Sequence, residues 1–200
     1  MAIRNIKLTI QYDGSSYYGW QSQPERVTVE QHVIAAIGKL FGKYIKINGA
    51  SRTDAGVSAL GQVASFKLDS PVPTENIARA LSEYLPEDIV ISEAAEVSAR
   101  FNAITSAVNK LYQYGIYNRP IRPVLDIKHC WHWPGKLDVE KMSQAGKLIV
   151  GKRDFKSFAS AADKRTNFVR TVRRCDVERS DNGWIYVYTE ADGFLYNMVR

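Results

Sequence analysis

Hydrophobic and polar residues alternate from the start of the chain: Ile6, Leu8, Ile10 and Tyr12 are separated by Lys7, Thr9 and Gln11, which predicts a half-buried strand. It ends at the turn pair Asp13-Gly14. The period then changes. Thr28-x-x-Gln31 has the form of a capping box, and Val33, Ile37, Leu40 and Phe41 recur at helical spacing up to Gly42, so a helix is expected with glycine as its stop. Short strands are expected over residues 44–47 and 63–68, a helix from Thr74 through Ile77, Leu81 and Tyr84 closed by Pro86, and a strand over 89–91. Strand, helix, strand, strand, helix, strand is the split β-α-β order of a ferredoxin-like fold.

The second half repeats the plan less cleanly. Residues 111–117 alternate as a strand, a Pro-bounded loop follows over 118–123, and 129–133 is a candidate strand. A helix is expected over 138–150. Strands over 169–178 and 184–190 flank Ser180-Asp181-Asn182-Gly183, a hairpin signal because Asn-Gly tolerates the positive φ of a tight turn. The expected class is therefore α+β: two ferredoxin-like lobes with antiparallel sheets, over residues 1–105 and 106–200, with a cleft between them.

Composition narrows the partner. With 200 residues, 45% hydrophobic and 24% charged, the chain is long enough to bury real cores and too apolar to stay disordered. Its net charge of +6 fits a polyanionic partner or a solvated basic surface. The distribution is uneven: residues 151–179 hold nine Lys or Arg against four acids, whereas 69–98 hold seven acids and one Arg. One basic face and one acidic face are expected, as for a phosphate-binding surface with a solvated back. Two cysteines, Cys130 and Cys175, give no disulfide framework and suit a reducing compartment. The N-terminus carries no apolar signal segment and no run long enough to span a bilayer, so a cytoplasmic location is expected.

Candidate chemistry centres on INGASRTDAGVSALGQVASF, residues 47–66, where Arg52 and Asp54 stand among small residues. One reading is a strand-to-strand loop with turn chemistry at Asp54 and Gly56 and a surface ion pair. The other is a loop whose small residues let another molecule approach while Asp54 stands at the mouth of a cleft. Composition does not choose between them.

A resemblance does. Ser51-Arg52-Thr53-Asp54-Ala55-Gly56-Val57-Ser58-Ala59, followed by Gly61-Gln62-Val63, resembles the GRTDAGVHA motif of the tRNA pseudouridine synthase A family. Other blocks are similar in the same order. Residues 12–21, YDGSSYYGWQ, resemble the family's YDGxxYxGWQ, and Val29-Glu30-Gln31 follows at the usual place; Ala99-Arg100-Phe101-Asn102-Ala103 resembles HARFxA. Lys110-Leu111-Tyr112-Gln113-Tyr114 resembles K/R-x-Y-x-Y, Asp154-Phe155-Lys156-Ser157-Phe158 resembles DFxSF, and residues 193–200, GFLYNMVR, resemble FLxxMVR. The blocks cover nearly the whole chain.

The resemblance implies the pseudouridine synthase fold, with two RRM-like lobes flanking a central catalytic cleft. It also implies an isomerase that converts uridine to pseudouridine in the tRNA anticodon stem-loop, at positions 38 to 40, as a cytoplasmic homodimer without metal or nucleotide cofactor. The residues suit that chemistry. Moving the C1′ bond from N1 to C5 needs no group donor but does need a nucleophile, and a carboxylate is ionised at neutral pH and attacks without a partner base. No Ser/His/Asp set is required, and His32, His129 and His132 all lie outside the motif. A guanidinium beside a carboxylate favours the charged form in a dry pocket, so Arg52 frames Asp54; it also fits a phosphate or the space left by a flipped base. Attack at C1′ of the ribose and attack at C6 of the uracil both remain open.

The resemblance assigns Tyr112 to the active-site tyrosine that stacks on the base and assists proton removal from C5, and Arg200 to the second active-site arginine, an ion-pair partner of Asp54. On pattern alone a tyrosine on an alternating strand is more often core than catalytic, so Tyr112 would read as core. Arg165, Arg170, Arg173 and Arg174 are candidate RNA contacts or a solvated strand face. Tyr17, Tyr18 and Trp20 beside Arg26 either stack on nucleotides or cover a core. His129-Cys130-Trp131-His132 lacks a second ligand pair, so no metal is expected.

Three departures from the family pattern stand out. Ser51 replaces its first Gly, Ser58 stands where His is usual, and residues 101–112 are a few longer than common. Relatives continue past the FLxxMVR block with a helix and a further strand, so the second lobe is expected to be incomplete. The competing expectation is a truncated or inactive tRNA-binding module without catalytic activity.

Overall fold

Strand β1 (Arg4–Tyr12) forms where the alternation predicts it, and Ile6, Leu8 and Ile10 point to one face and are fully buried. The computed structural model describes residues 3–200 and separates into two units, Met1–Ala107 and Val108–Arg200.

In the first unit β1 is followed by helix α1 (Val29–Phe41), strands β2 (Asn48–Gly49) and β3 (Ala59–Leu68), helix α2 (Thr74–Ser82) and strand β4 (Ile89–Val97). The sheet is antiparallel with order β2-β3-β1-β4, the order a split β-α-β plan requires. Val29, Val33, Ala36 and Ile37 of α1, with Ile77 and Leu81 of α2, join the buried face of β1 in one cluster. Each such large aliphatic side chain contributes roughly 1.5–3 kcal/mol by leaving water, which fastens both helices to the same side of the sheet. The start of α1 is the expected box: the Thr28 amide donates to Gln31 Oε1 at 3.1 Å.

Four elements of this unit differ in their bounds from expectation: β3 begins at Ala59 rather than at 63, β4 runs to Val97 rather than to 91, and two others shift. The second strand is not 44–47 but the two residues Asn48–Gly49, paired with Ser65 and Ala64, while Tyr44 is 76% exposed. Helix α2 stops at Ser82, and Tyr84 lies beyond it on the surface.

The second unit runs β5 (Lys110–Tyr117), β6 (Trp131–His132), α3 (Val139–Ile149), β7 (Gly151–Asp154), β8 (Val169–Arg179) and β9 (Trp184–Ala191), with sheet order β6-β5-β9-β8-β7. The β8–β9 hairpin turns at the expected residues: the Gly183 amide donates to the Ser180 carbonyl, and Gly183 takes φ +91°. Asp138 caps α3 by accepting from the Lys141 amide at 3.0 Å. Gly146 of α3 lies against Cys175 of β8.

This sheet departs from the first in two ways. Strand β6 joins β5 in parallel through Ile116↔Trp131 and Tyr117↔His132, so the sheet is mixed rather than antiparallel. Strand β9 lies between β5 and β8, so the first unit's order is not repeated and the architecture is shared at the level of α+β. A small core of Phe155, Val172, Ala191 and Leu195 seals the β7 end. Among the described residues no helix is long and apolar enough to cross a membrane.

Candidate active site

The loop over residues 51–58 is built from both ends and from beneath. At its ends, the Ala50 amide donates to the Val63 carbonyl at 2.8 Å, and the buried Gln62 side chain grips Ser51 twice, accepting from its amide at 3.2 Å and donating to its carbonyl at 2.7 Å. From beneath comes the segment after β1. Asp13 Oδ1 accepts from the Ser15 amide and starts a single 3-10 turn, Gly14–Ser16. The Trp20 amide then donates to the Thr53 carbonyl at 3.1 Å, and the Gly56 amide donates to the Tyr17 carbonyl at 3.1 Å.

The contact is backbone on backbone, and two positions admit no side chain. A Cβ on Gly14 would stand 2.0 Å from the Val57 carbonyl oxygen, and one on Gly19 would stand 2.3 Å from that of Thr53. Gly19 also has φ +82°, a conformation L side chains rarely adopt. The YDGSSYYGWQ block is thus the cradle of the SRTDAGVSA block.

Within the loop Asp54 is half-buried, Arg52 is exposed, and the Val57 amide donates to the Asp54 carbonyl at 3.1 Å to close a turn. Among the described residues no ion pair joins Arg52 to Asp54. Thr53, between them, shares a 2.8 Å hydrogen bond with the Tyr12 hydroxyl. Ser58, where the family pattern has His, accepts from the Gly14 amide at 3.0 Å and lies 3.4 Å from Asp13 Oδ1, tying the loop to its cradle.

The aromatic residues of the cradle divide. Tyr17 and Trp20 are core, 6% and 1% exposed, and cannot stack on a nucleotide from there. The Tyr17 hydroxyl donates to Asp88 Oδ1 at 2.5 Å; burial first, then that bond, pushes its pKa up. Tyr18 is the exposed one at 49%, and the Arg26 guanidinium lies 4.4 Å over its ring. This pair keeps an exposed aromatic and cationic platform.

In the second unit Tyr112 sits half-buried on β5, opposite Thr189, its ring in a T-shaped contact with that of Phe194, centroids 5.0 Å apart and planes at 82°. Arg200 is exposed, its amide donating to the Asn197 carbonyl at 3.0 Å. Arg165 pairs with Asp163 and donates to the Phe194 carbonyl at 3.1 Å. Arg170 donates to the carbonyls of Val169 and Asn167. Lys110 lies in the field of both, and burial first, then Arg165 and Arg170, lowers its pKa. Lys110 opens the K/R-x-Y-x-Y block, but no role is expected for it from the sequence. Arg173 falls where the β8–β9 register shifts, between Val172 and Arg174. Arg174 pairs with Asp176 and lies 5.6 Å over the Tyr188 ring, so the two adjacent arginines are not equivalent.

A family model for tRNA pseudouridine synthases matches residues 8–104 and 145–200, which include the loop and its cradle. The chain belongs to the tRNA pseudouridine synthase family. It is 44% identical over 198 residues to the tRNA pseudouridine synthase A of Caldicellulosiruptor saccharolyticus, covering 99% of this chain and 81% of that relative. It is 46% identical to tRNA pseudouridine synthase A 2 of Clostridium perfringens and 40% identical to tRNA pseudouridine synthase A of Thermoanaerobacter sp., with the same coverage. The family's enzymes are isomerases that convert uridine to pseudouridine, and the chain is an enzyme of that class.

Proposed function

We propose that Asp54 is the nucleophile of this tRNA pseudouridine synthase and that its substrate uridines lie in the anticodon stem-loop, at positions 38 to 40. The observation that carries the reading is the cradle. Four residues of the 51–58 segment, Ser51, Thr53, Gly56 and Ser58, are held by residues 12–20 and Gln62, so the Asp54 carboxylate is presented without rearrangement. The carboxylate forms a bond to C1′ with cleavage of the N1–C1′ bond, or adds to C6. In either route the N1–C1′ bond breaks, the freed ring turns and C5 bonds to C1′; the bond from Asp54 to C1′ or C6 then breaks to return the carboxylate, C5 loses its proton and N1 gains one, so the atoms of uridine are conserved. Tyr112 stacks on the ring and takes the C5 proton, Arg52 holds the place of the flipped base or a phosphate, and Arg200 pairs with the Asp54 carboxylate.

Arg26, Arg165, Arg170, Arg173 and Arg174 contact phosphates in this reading, and the active form is a cytoplasmic homodimer. The test is conversion of an unmodified tRNA transcript by the parent chain and by Asp54→Asn, scored by chemical labelling of pseudouridine. The parent is expected to convert its uridines and Asp54→Asn to lose conversion by at least about 10³-fold while still binding tRNA. Conversion by Asp54→Asn at the parent rate overturns the assignment. Binding without conversion by the parent selects the tRNA-binding module instead.

A further inference from the structure

Asp163 belongs neither to the proposed reacting set nor to the proposed phosphate contacts, yet its side chain is only 3% exposed. It lies in the loop that follows a short 3-10 turn, Lys156–Phe158, and its carboxylate is fully engaged. Oδ2 accepts from the Tyr196 amide at 2.9 Å and from Arg165 Nη1 at 3.3 Å, while Oδ1 accepts from the Arg165 amide at 3.1 Å. The backbone carbonyl of Tyr196 is taken by the same loop, since the Ser160 amide donates to it at 2.9 Å. Arg165 Nη1 completes the clasp on the Phe194 carbonyl at 3.1 Å.

What the clasp holds is the segment after β9. Leu195 points into the core with Phe155, Val172 and Ala191, and Phe194 places its ring against Tyr112. From there the chain climbs by local bonds, Met198 amide to Leu195 carbonyl and Arg200 amide to Asn197 carbonyl, with Asn197 at φ +59°. The orientation of the Tyr112 ring and the starting point of Arg200 both depend on where residues 194–196 lie.

We propose that Asp163 is a positioning residue of this enzyme, holding residues 194–200 through Tyr196 and Arg165 so that Phe194 braces Tyr112 and Arg200 is held in place. The proposal rests on the roles given above to Tyr112 and Arg200. A carboxylate is required because three N–H groups converge on it; an amide of the same shape turns an NH₂ group toward at least one of them. Consistent with this, the Tyr196 amide first, then the Arg165 amide and the charges of Arg165 and Arg170, hold the Asp163 carboxyl below the usual range against the opposing effect of burial.

The test uses the full chain with Asp163→Asn, Asp163→Glu and Phe194→Leu, measuring melting temperature, kcat and KM on an unmodified tRNA transcript, and amide hydrogen exchange at Tyr196. Expected for Asp163→Asn is a fall in kcat of about 10²-fold with KM within about twofold, faster exchange at Tyr196, and recovery of at least tenfold in kcat by Asp163→Glu. Parent-like kcat in folded Asp163→Asn overturns the proposal, as does a loss confined to KM. If Asp163→Asn does not fold, Phe194→Leu decides: a lowered kcat at unchanged KM supports the brace, and parent-like kcat sinks it. A parent chain that converts no uridine overturns the functional reading, and Tyr196 exchange then still reports whether the clasp exists.

Discussion

Gly19 lies against the Thr53 carbonyl so closely that a single methyl group on its α-carbon would stand 2.3 Å from that oxygen. Thr53 immediately precedes Asp54, so the approach sets the height of the proposed nucleophile. Gly19→Ala is expected to cost about 2 to 4 kcal/mol, from a disfavoured positive φ together with overpacking against backbone that has no rotamer to yield. It should also lower kcat by about 10²-fold by lifting the loop. Gly56→Ala is the control: it shares the positive φ at +77° but meets nothing within 4 Å, so only about 1 to 2 kcal/mol is expected. Chemical denaturation of both variants beside single-turnover rates checks the difference; equal losses would remove the close contact from the explanation.

The same loop shows how far sequence carries. The alternation of β1, the spacing of α1 and the turn of the β8–β9 hairpin were legible because each is a local pattern whose apolar side is buried. Strand β2 was not, since only pairing with Ser65 and Ala64 of β3 makes Asn48–Gly49 a strand. Strand β7 reads as a charged tract, GKRD, and is extended only because β8 offers it an edge. The motif marked Asp54 and Arg52, but nothing local distinguishes Tyr17 and Trp20, which are core, from Tyr18, which is exposed. Asp163 carries no signal at all in sequence, because its three donors come from its own loop and from residue 196.

Tyr17 gives the cradle an alkaline limit. Its hydroxyl is buried and bonded to Asp88, so its folded pKa lies above the ordinary tyrosine value of about 10. A raised pKa means the folded state holds the proton longer than the unfolded chain. The stabilisation is therefore complete below about pH 10 and is lost as pH rises through the folded value. Tyr17→Phe should cost about 1.5 to 3 kcal/mol at neutral pH, by removing a bond to a charged acceptor, and should flatten the stability profile above pH 10. Urea titrations across that range test it, and an unchanged alkaline slope would contradict it.

Asp163 acts at the other end of the scale. Its folded pKa is depressed, chiefly by the Tyr196 amide, so its contribution is present above the ordinary carboxylate range and is lost as pH falls through the folded value. The parent is expected to lose stability on acidification more steeply than Asp163→Asn, which has no carboxyl to titrate there. Melting temperatures measured from neutral pH downward should converge for the two proteins; parallel curves would show that this carboxyl does not titrate differently on folding.

Arg173 and Arg174 stand side by side but should differ in how they bind RNA. Arg174 already has an ion-pair partner in Asp176 and lies over Tyr188, so part of its charge is spent inside the protein. Arg173, at the register shift, is exposed and among the described residues makes only a long 3.5 Å bond, to the Val108 carbonyl. Because each phosphate contact releases about one counterion, Arg173→Ala should reduce the slope of log K against log salt by about one unit, and Arg174→Ala by clearly less. Filter binding of tRNA over a salt series separates the two. Equal reductions would mean that Asp176 does not compete with phosphate, and an unchanged slope in both would place the RNA elsewhere on the chain.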